Sequence, residues 1–458
     1  MKIGILPLGR PTFDVPFAEE NLSAMLAALD ATGHELTGPR ELLFDGDATE
    51  AAIKDLQGAG IDVLLLMQVT FTDASMTVAA ANAFDTPIGI WAIPEPRIGE
   101  RLRLNSFCGL NLASHALGLN NREFSWLYAD PTGDVQADLA AMFAGDRVAG
   151  HLVAKTASET SDAAKVIVSN VTGRRIARLG EHPVGFDTCA YDDSQLKALA
   201  GVEVDALALD DLFEAGRQAD AGAVATLKEQ TQAEGLDQVD QTELDRSLRL
   251  KLGLDAIRAK GDYSAFAIRC WPETFTEYGG AVCGPVSMMG EARVPCACEA
   301  DVYGALTQMM LQEASGEPVF LTDLVDMDTA DNTGVVWHCG QAPLSMLAEG
   351  DAALATIHTN RKMPLLYEFP LKPGRVTFMR ISQSFGEPKM VLAAGEMLER
   401  PKSFTGTSGV VRFDRPASDV LNDVMDSGLE HHMALAYGEH RPLLRQVAAE
   451  MGLPVLEL

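Results

Sequence analysis

Residues 294–306 read VPCACEADVYGAL, which predicts a short apolar strand that turns into a helix with Glu299 at the junction. Two later apolar segments complete the pattern: FLTDLVD at 320–326 and VVWHCG at 335–340. Side chains alternate along a strand, so in the segment 320–326 Asp323 lies on the same face as the apolar residues Leu321 and Val325. The second segment ends an apolar strand on His338. Two acids and a histidine at the ends of neighbouring β/α units predict an oxygen-rich site for a divalent metal.

Both acids need a partner, because an isolated buried charge is too costly in an apolar setting. Glu299 and Asp323 can therefore bind a metal, exchange protons with a substrate, or do both. For Glu299 the alternative is an acid at a helix N-terminus that the helix dipole satisfies. That explanation fits Asp301 better, because we expect Asp301 to lie just inside the helix.

Two consecutive histidines, His431 and His432, open the apolar strand 433–437. Neighbouring strand residues face opposite ways, so we expect only one of the two to reach a given metal. The alternative for such a pair is one exposed histidine and one buried histidine with an ordinary hydrogen bond. No Ser-His-Asp or Cys-His order indicates nucleophilic catalysis.

Strands and helices alternate along the chain, and the strands of the first part are apolar throughout. Such strands are typical of a parallel sheet with helices on both faces. After residue 362, Pro/Gly turns join strands without long helices, which is typical of a small antiparallel barrel. We therefore predict an α/β protein with two doubly wound parallel domains and a C-terminal domain that contains a small antiparallel β-barrel. The predicted domains are 1–132, 133–361 (with the metal carboxylates) and 362–458 (with helices and a strand that return to the α/β core).

Polar residues that follow the predicted strands are candidate ligand contacts, since ligands bind beyond the carboxyl ends of parallel strands. They are Arg10, Gln68 and Glu95. A surface or loop-capping role explains each of them equally well. Neither GxGxxG nor GxxxxGKS/T follows the first strand, which disfavours a dinucleotide or a nucleoside triphosphate as the ligand.

The chain has 36 basic and 65 acidic residues, a net charge of -29. Nucleic acid and anionic membranes would be repelled by such a surface, so neither is expected as a partner. General solubility is the simplest explanation of this charge. Seven cysteines, an odd number in apolar settings, indicate a reduced, cytoplasmic protein. We expect no transmembrane span and no signal peptide, because the chain opens directly as a strand.

Three segments resemble the L-fucose/L-arabinose isomerase superfamily: CEADVYGAL at 298–306, WHCG at 337–340 and GLEHHMALAYG at 428–438. The resemblance spans essentially the whole chain in the same domain order. It implies two α/β domains and a C-terminal domain with an antiparallel barrel. It also implies homotrimers or homohexamers with active sites between subunits, each completed by a neighbour's first domain.

Residue by residue, the resemblance assigns the two metal carboxylates to Glu299 and Asp323 and the histidine ligand to His432. The ion would be Mn²⁺, with Mg²⁺ or Co²⁺ as alternatives, and the two carboxylates would also shuttle protons. The arabinose branch adds a histidine that corresponds to His338. Aspartate as the second acid is closer to the fucose branch.

These observations predict a metal-dependent aldose–ketose isomerase that acts on a sugar or sugar derivative through a cis-enediol. One alternative is an epimerase or lyase that uses the same site on a sugar acid or polyol. The other is a non-catalytic sugar-binding protein, which would have no need of two acids and a histidine. The predicted substrate contacts are Arg10, Gln68, Asn111, Trp337 and His338. An anionic substrate would need converging arginines, for which the scattered candidates are Arg10, Arg97 and Arg269.

Overall fold

A parallel sheet with helices on both faces forms the first part of the chain. The computed structural model describes residues 1–458. The elements of this part are β1 (Lys2–Leu8), α1 (Val15–Asp30), β2 (Glu35–Thr37), α2 (Gly46–Gln57), β3 (Val63–Gln68), α3 (Ser75–Ala83), β4 (Ile88–Ala92), α4 (Ser106–Leu119), β5 (Ser125–Tyr128) and α5 (Gln136–Ala144). The strands lie in the order β2-β1-β3-β4-β5 and all pair in parallel. β3 and β4 are buried along their whole length, as predicted for a covered parallel sheet.

A second parallel sheet follows, with four strands in the order β7-β6-β8-β9. This part comprises α6 (Asp162–Val171), β6 (Arg175–Leu179), α7 (Asp193–Ala200), β7 (Glu203–Leu207), α8 (Leu209–Arg217), α9 (Ala221–Gln230), α10 (Gln241–Gly261), β8 (Ala265–Ile268), α11 (Cys283–Glu291), β9 (Cys296–Cys298) and α12 (Val302–Ser315). Polar side chains fix the helix starts: Ser161 caps α6 and Asp240 caps α10. No helix in the chain has the length and apolar character needed to cross a membrane.

The third sheet is mixed and has nine strands. Its part of the chain comprises β10 (Phe320–Asp328), β11 (Thr333–His338), β12 (Leu354–Thr356), β13 (Leu366–Pro370), β14 (Gly374–Ser382), β15 (Lys389–Met397), β16 (Thr407–Phe413), α13 (Ala417–Asp426), β17 (His432–Tyr437), α14 (Arg441–Glu450) and β18 (Val455–Glu457). The strand order is β12-β13-β16-β11-β10-β17-β14-β15-β18, and β16 also pairs with β15. These pairings connect six strands in a ring, β16-β11-β10-β17-β14-β15. The strands predicted to form a small antiparallel barrel after residue 362 therefore pair in one sheet with two strands from before it, β10 and β11.

Helix α4 joins the first sheet to the third. It is buried on every side, and its polar side chains bind carbonyl groups of the third part of the chain. Ser114 Oγ donates to Met425 O at 3.2 Å, and Asn111 Nδ2 donates to Leu429 O. An ion pair strengthens the junction, since Arg97 Nε donates to the buried Asp326 carboxylate on β10. The first sheet is thereby fixed beside the strand that holds Asp323.

Candidate active site

Glu299 lies in an unusual turn between β9, at the edge of the second sheet, and α12. Glu299 and Ala300 both have left-handed backbone conformations, with φ of 60° and 55°. Such conformations cost roughly 1–2 kcal/mol per non-glycine residue, so the surroundings must stabilise them. Asp301 then caps α12, because its Oδ1 accepts the backbone N–H of Gly304 at 2.8 Å. The turn points the Glu299 carboxylate into a cavity between the three sheets.

Asp323 and His432 meet because they occupy opposite positions on two antiparallel strands. They form a registered pair between β10 and β17, and opposite residues project to the same face. His432 Nε2 lies 3.5 Å from Asp323 Oδ1 and 3.7 Å from Glu299 Oε2. The two acids and the histidine identified from the sequence therefore converge on one point.

Asp301 and Arg380 orient the ring of His432. His432 Nδ1 lies 2.9 Å from Asp301 Oδ2, and Arg380 on β14 binds both oxygens of the same carboxylate. Burial alone would raise the pKa of Asp301, but the Arg380 charge and the His432 hydrogen bond hold it well below its ordinary value. Asp301 is therefore ionised and accepts the Nδ1 hydrogen. The Nε2 lone pair of His432 is left to face the acids.

His431 also lies beside Glu299, so strand alternation does not point it away from this centre, and which histidine of the pair would reach a metal stays a prediction. Strand β17 begins at His432, and side-chain alternation does not extend to the residue before it. His431 Nε2 donates to Glu299 Oε2 at 2.9 Å, and its Nδ1 accepts from the Thr188 hydroxyl at 2.9 Å. Both ring nitrogens of His431 are thus occupied, which leaves His432 as the histidine with a free lone pair.

His338 lies in the same cluster but presents a hydrogen rather than a lone pair. The backbone N–H of Cys339 donates to His338 Nδ1 at 2.8 Å, which places the hydrogen of the neutral ring on Nε2. Burial and the nearby His432 hold the pKa of His338 well below its ordinary value, so the ring is neutral. Its Nε2–H makes no hydrogen bond within the chain. His338 can therefore donate to a substrate oxygen.

The two carboxylates differ in their affinity for protons. Burial would raise the pKa of Glu299, but hydrogen bonds from His431 and Trp271 and the electrostatic effect of His431 and His432 lower it to about 2. Asp323 has no hydrogen bond at Oδ1, and burial and the Glu299 charge raise its pKa to about 7, although His432 opposes the shift. Pairs of acids with separated pKa values are typical of acid–base sites.

These residues fit a divalent metal. Three buried atoms face one another without a hydrogen bond, Asp323 Oδ1, His338 Nε2 and His432 Nε2. Two carboxylates and one imidazole lone pair suit Mn²⁺, Mg²⁺ or Co²⁺. Cys189 lies near Glu299, His431 and His432. Burial raises its thiol pKa well above the ordinary value, so Cys189 stays protonated and is a poor ligand.

The cavity brings some of the predicted substrate contacts together and excludes others. Arg10, Trp337 and His338 line it. Gln68 lies outside, because its Nε2 donates to Thr72 Oγ1 at 3.0 Å and to Thr70 O within its own loop. Asn111 lies outside as well, bound to Leu429 O. A polar residue after a strand can satisfy its own loop, and the sequence does not distinguish that role from ligand binding.

Glu95, the third post-strand candidate, also has a structural role. Its carboxylate accepts backbone N–H groups of residues 103, 104 and 105, and it does not line the cavity. The loops that follow β1 and β3 instead contribute Arg10, Phe13 and Phe71 to the cavity, all from this same chain. Completion of the site by a neighbouring subunit, and a trimeric or hexameric assembly, stay predictions.

Comparisons with known proteins show which family the chain resembles. Residues 4–152 match the N-terminal domain of fucose/sulfoquinovose isomerase, and residues 336–458 match the C-terminal domain of L-fucose isomerase. Sulfoquinovose isomerase of Alkalicoccus urumqiensis is 31% identical over 99% of this chain and 98% of its own length. The sulfoquinovose isomerases of Priestia megaterium and Clostridium sp. (strain MSTE9) are each 29% identical, over 95% and 98% of this chain and 94% and 97% of their own lengths. The solved structure of a galactofuranose binding protein aligns over 69% of this chain and 90% of its own, with 9% identity and a TM-score of 0.19, which is too low to inform the fold.

Proposed function

Because the chain belongs to the fucose isomerase-like superfamily, we propose that this aldose–ketose isomerase converts sulfoquinovose, or a closely similar sulfonated aldose, into the corresponding ketose with a divalent metal ion. Sulfoquinovose is a glucose that carries a sulfonate on C6. The proposal extends to this chain the activity for which its relatives are named. Their similarity extends over nearly the whole chain, including the segments that hold the candidate site.

One observation carries the proposal: Asp323 Oδ1 and His432 Nε2 are buried, lack hydrogen bonds, and face the Glu299 carboxylate. Unsatisfied buried polar atoms are costly, so their convergence supports a ligand-binding point. Glu299, Asp323 and His432 would hold the ion, with Mn²⁺ as the preferred metal and Mg²⁺ or Co²⁺ as alternatives. A bound ion supplies a Lewis acid that polarises the carbonyl and the adjacent hydroxyl of the open-chain sugar.

Isomerisation transfers two protons and needs no external redox partner. The C2 proton leaves and a proton is returned to C1, while the hydroxyl hydrogen moves from O2 to O1. One of the carboxylates Glu299 and Asp323 carries the carbon-bound proton, and the other carries the hydroxyl proton. His431 and Trp271 hold Glu299 in place through their N–H donors. His338 offers its Nε2–H to a substrate oxygen, which orients the reacting carbons.

Removal and return of metal tests the proposal. After EDTA treatment and gel filtration the protein should lose sulfoquinovose isomerisation, and Mn²⁺, Co²⁺ or Mg²⁺ should restore it. In D₂O, NMR should show solvent deuterium at C1 of the ketose, because the migrating proton passes through an exchangeable carboxyl group. Activity that is indifferent to EDTA would exclude the metal. Full retention of the substrate hydrogen would point instead to a hydride shift.

Two isosteric variants connect the carboxylates to turnover. Glu299→Gln and Asp323→Asn keep the side-chain volume and remove charge and basicity, so each should abolish isomerisation while circular dichroism stays native. Asp328→Asn, on the same strand as Asp323 and outside the cavity, is the matched control. Full activity of either active-site variant would remove that carboxylate from the mechanism.

A further inference from the structure

Two arginines share the cavity with the candidate metal centre. Arg10 and Arg361 both line it, and their guanidinium carbons lie 5.6 Å and 5.5 Å from the centroid of the Trp271 ring. Trp271 in turn donates its Nε1 hydrogen to Glu299 Oε1 at 3.1 Å. The arginines are therefore separated from the catalytic carboxylate by one indole ring. That places them to meet the end of a sugar whose other end reacts beside Glu299.

Of the two arginines, Arg10 and Arg361, only one is paired with a carboxylate. Arg10 pairs with Asp73, whereas the guanidinium of Arg361 makes no ion pair and no hydrogen bond within the chain. Partial burial and the charge of Arg10 both lower the pKa of Arg361. In a chain of net charge -29, two guanidinium groups with one carboxylate between them leave a local excess of positive charge. A site of this kind attracts an anion that the rest of the surface would repel.

The loop that holds Arg361 is tied into a fixed turn. His358 Nδ1 accepts the backbone N–H groups of Asn360 and Arg361, both at 3.2 Å. Arg101 Nη2 then donates to Asn360 Oδ1 at 2.9 Å, which links this turn to the loop between β4 and α4. Arg361 is thus positioned before any ligand binds, and less conformational freedom is lost on binding.

The other arginines considered from the sequence cannot play this part. Arg97 is paired with Asp326, and Arg269 is paired with Glu273 at 2.7 Å. Neither lines the cavity. Arg361 escaped the sequence analysis because it lies in a loop, where no periodic pattern connects it to Arg10.

We infer that Arg10 and Arg361 bind the anionic group at the end of the substrate opposite the reacting carbons, and so set the preference of this enzyme for sulfonated over neutral aldoses. The inference rests on the proposed function, which places the reacting carbons beside Glu299. A guanidinium presents paired N–H donors that match the oxygens of an oxyanion. A phosphate on C6 offers the same chemistry as a sulfonate, so the experiment compares the two.

Kinetics of the metal-loaded enzyme test this inference with sulfoquinovose, glucose 6-phosphate and glucose as substrates. Arg361→Met keeps the aliphatic length over Trp271 and removes the charge. It should raise the KM for sulfoquinovose by about 10- to 100-fold, the effect of one charged hydrogen-bonding group, with a much smaller change in kcat. The ratio of kcat/KM between sulfoquinovose and glucose should fall by the same factor. Arg361→Lys, which keeps the charge without the fork, should fall between wild type and Arg361→Met.

Arg400→Met is the matched control, since Arg400 is exposed, pairs with Asp331 and lies outside the cavity. It should leave all three substrates unaffected. A lower KM for glucose 6-phosphate than for sulfoquinovose would assign the subsite to phosphate. An unchanged KM in Arg361→Met would overturn the inference and leave the isomerase function intact.

Binding of a substrate-like probe separates the subsite from the reaction. Sulfoquinovitol, the alditol of the same sugar, carries the sulfonate and cannot isomerise. Calorimetry should show binding to the wild type and a 10- to 100-fold weaker affinity for Arg361→Met. That result would support the subsite even if the wild type isomerised none of the sugars. Equal affinity, or no binding to the wild type, would overturn the inference.

Discussion

The Asp301 carboxylate accepts the Nδ1 hydrogen of His432 at 2.9 Å, and this contact decides which nitrogen of the ring faces Glu299 and Asp323. Asp301 is itself held by Arg380, and all three side chains are almost completely buried. A histidine that donates one N–H to a carboxylate is a better metal ligand through its other nitrogen. The metal affinity should therefore depend on a residue that never touches the ion.

Asp301→Asn should weaken Mn²⁺ binding by about 10- to 100-fold. An asparagine amide carries no negative charge, so it no longer holds the hydrogen of His432 on Nδ1. The variant should also lose stability, since Arg380 is left buried without a counter-charge. Titration calorimetry with Mn²⁺ measures the first effect. Asp326→Asn is the control, because it breaks another arginine–aspartate pair with a buried carboxylate, Arg97–Asp326, outside the candidate metal centre. Equal metal affinities of the two variants would contradict the orienting role.

The histidine pair should divide its functions between metal binding and support of Glu299. His432→Ala should lose the metal, because it removes the free Nε2 lone pair. His431→Ala should keep the metal and lose turnover, because His431 is bonded to Glu299 and Thr188. Elemental analysis after gel filtration measures the metal content of each variant. Loss of metal from His431→Ala alone would transfer the ligand role to that residue.

Glu95 should make stability depend on pH. Burial raises its pKa to about 7, although backbone N–H donors oppose the shift. In the unfolded state the pKa of a glutamate is near 4.3. Between about pH 4.3 and about pH 7, Glu95 therefore keeps a proton in the folded state that it has lost in the unfolded state. The stabilisation is complete below about pH 4.3 and disappears as the pH rises to about 7.

The melting temperature of the wild type relative to Glu95→Gln should accordingly fall between pH 5 and pH 8. Glu100→Gln, an exchange at an exposed position of the same segment, serves as the control for charge removal. If the difference in melting temperature between wild type and Glu95→Gln does not change with pH, the Glu95 carboxyl group is ionised throughout this range.

Much of the fold was predictable because local patterns determine it. The apolar run of β3 and the α/β alternation around it predict a covered parallel sheet, and the structure contains one. The two candidate acids could also be recognised from local patterns. Glu299 and Asp323 interrupt apolar strands, and such residues need a partner wherever the chain brings one. The structure brings them together with His432, while their catalytic roles stay predictions.

The parts of the site that the sequence did not predict depend on contacts between residues that are distant in the chain. Asp301 was interpreted as an acid at a helix N-terminus, and it does cap α12, but its bonds to Arg380 and His432 connect three separate elements. A buried arginine in the apolar strand β14 was the available signal, because such a charge requires a carboxylate. The strand-alternation argument failed at His431 because it needs the strand boundary to within one residue. Sequence patterns locate boundaries less precisely than that.

The place of β17 between β10 and β14 has a consequence for biosynthesis. Every other strand of the six-stranded ring precedes β17 in the chain, so a ribosome completes them first. Until β17 emerges, β10 and β14 each have an open edge with unpaired backbone groups, which favours association with other nascent chains. The same strand brings His432 to Asp323. Closure of the ring and the meeting of His432 with Asp323 at the proposed metal centre therefore both wait for β17, and a nascent chain that lacks β17 has neither.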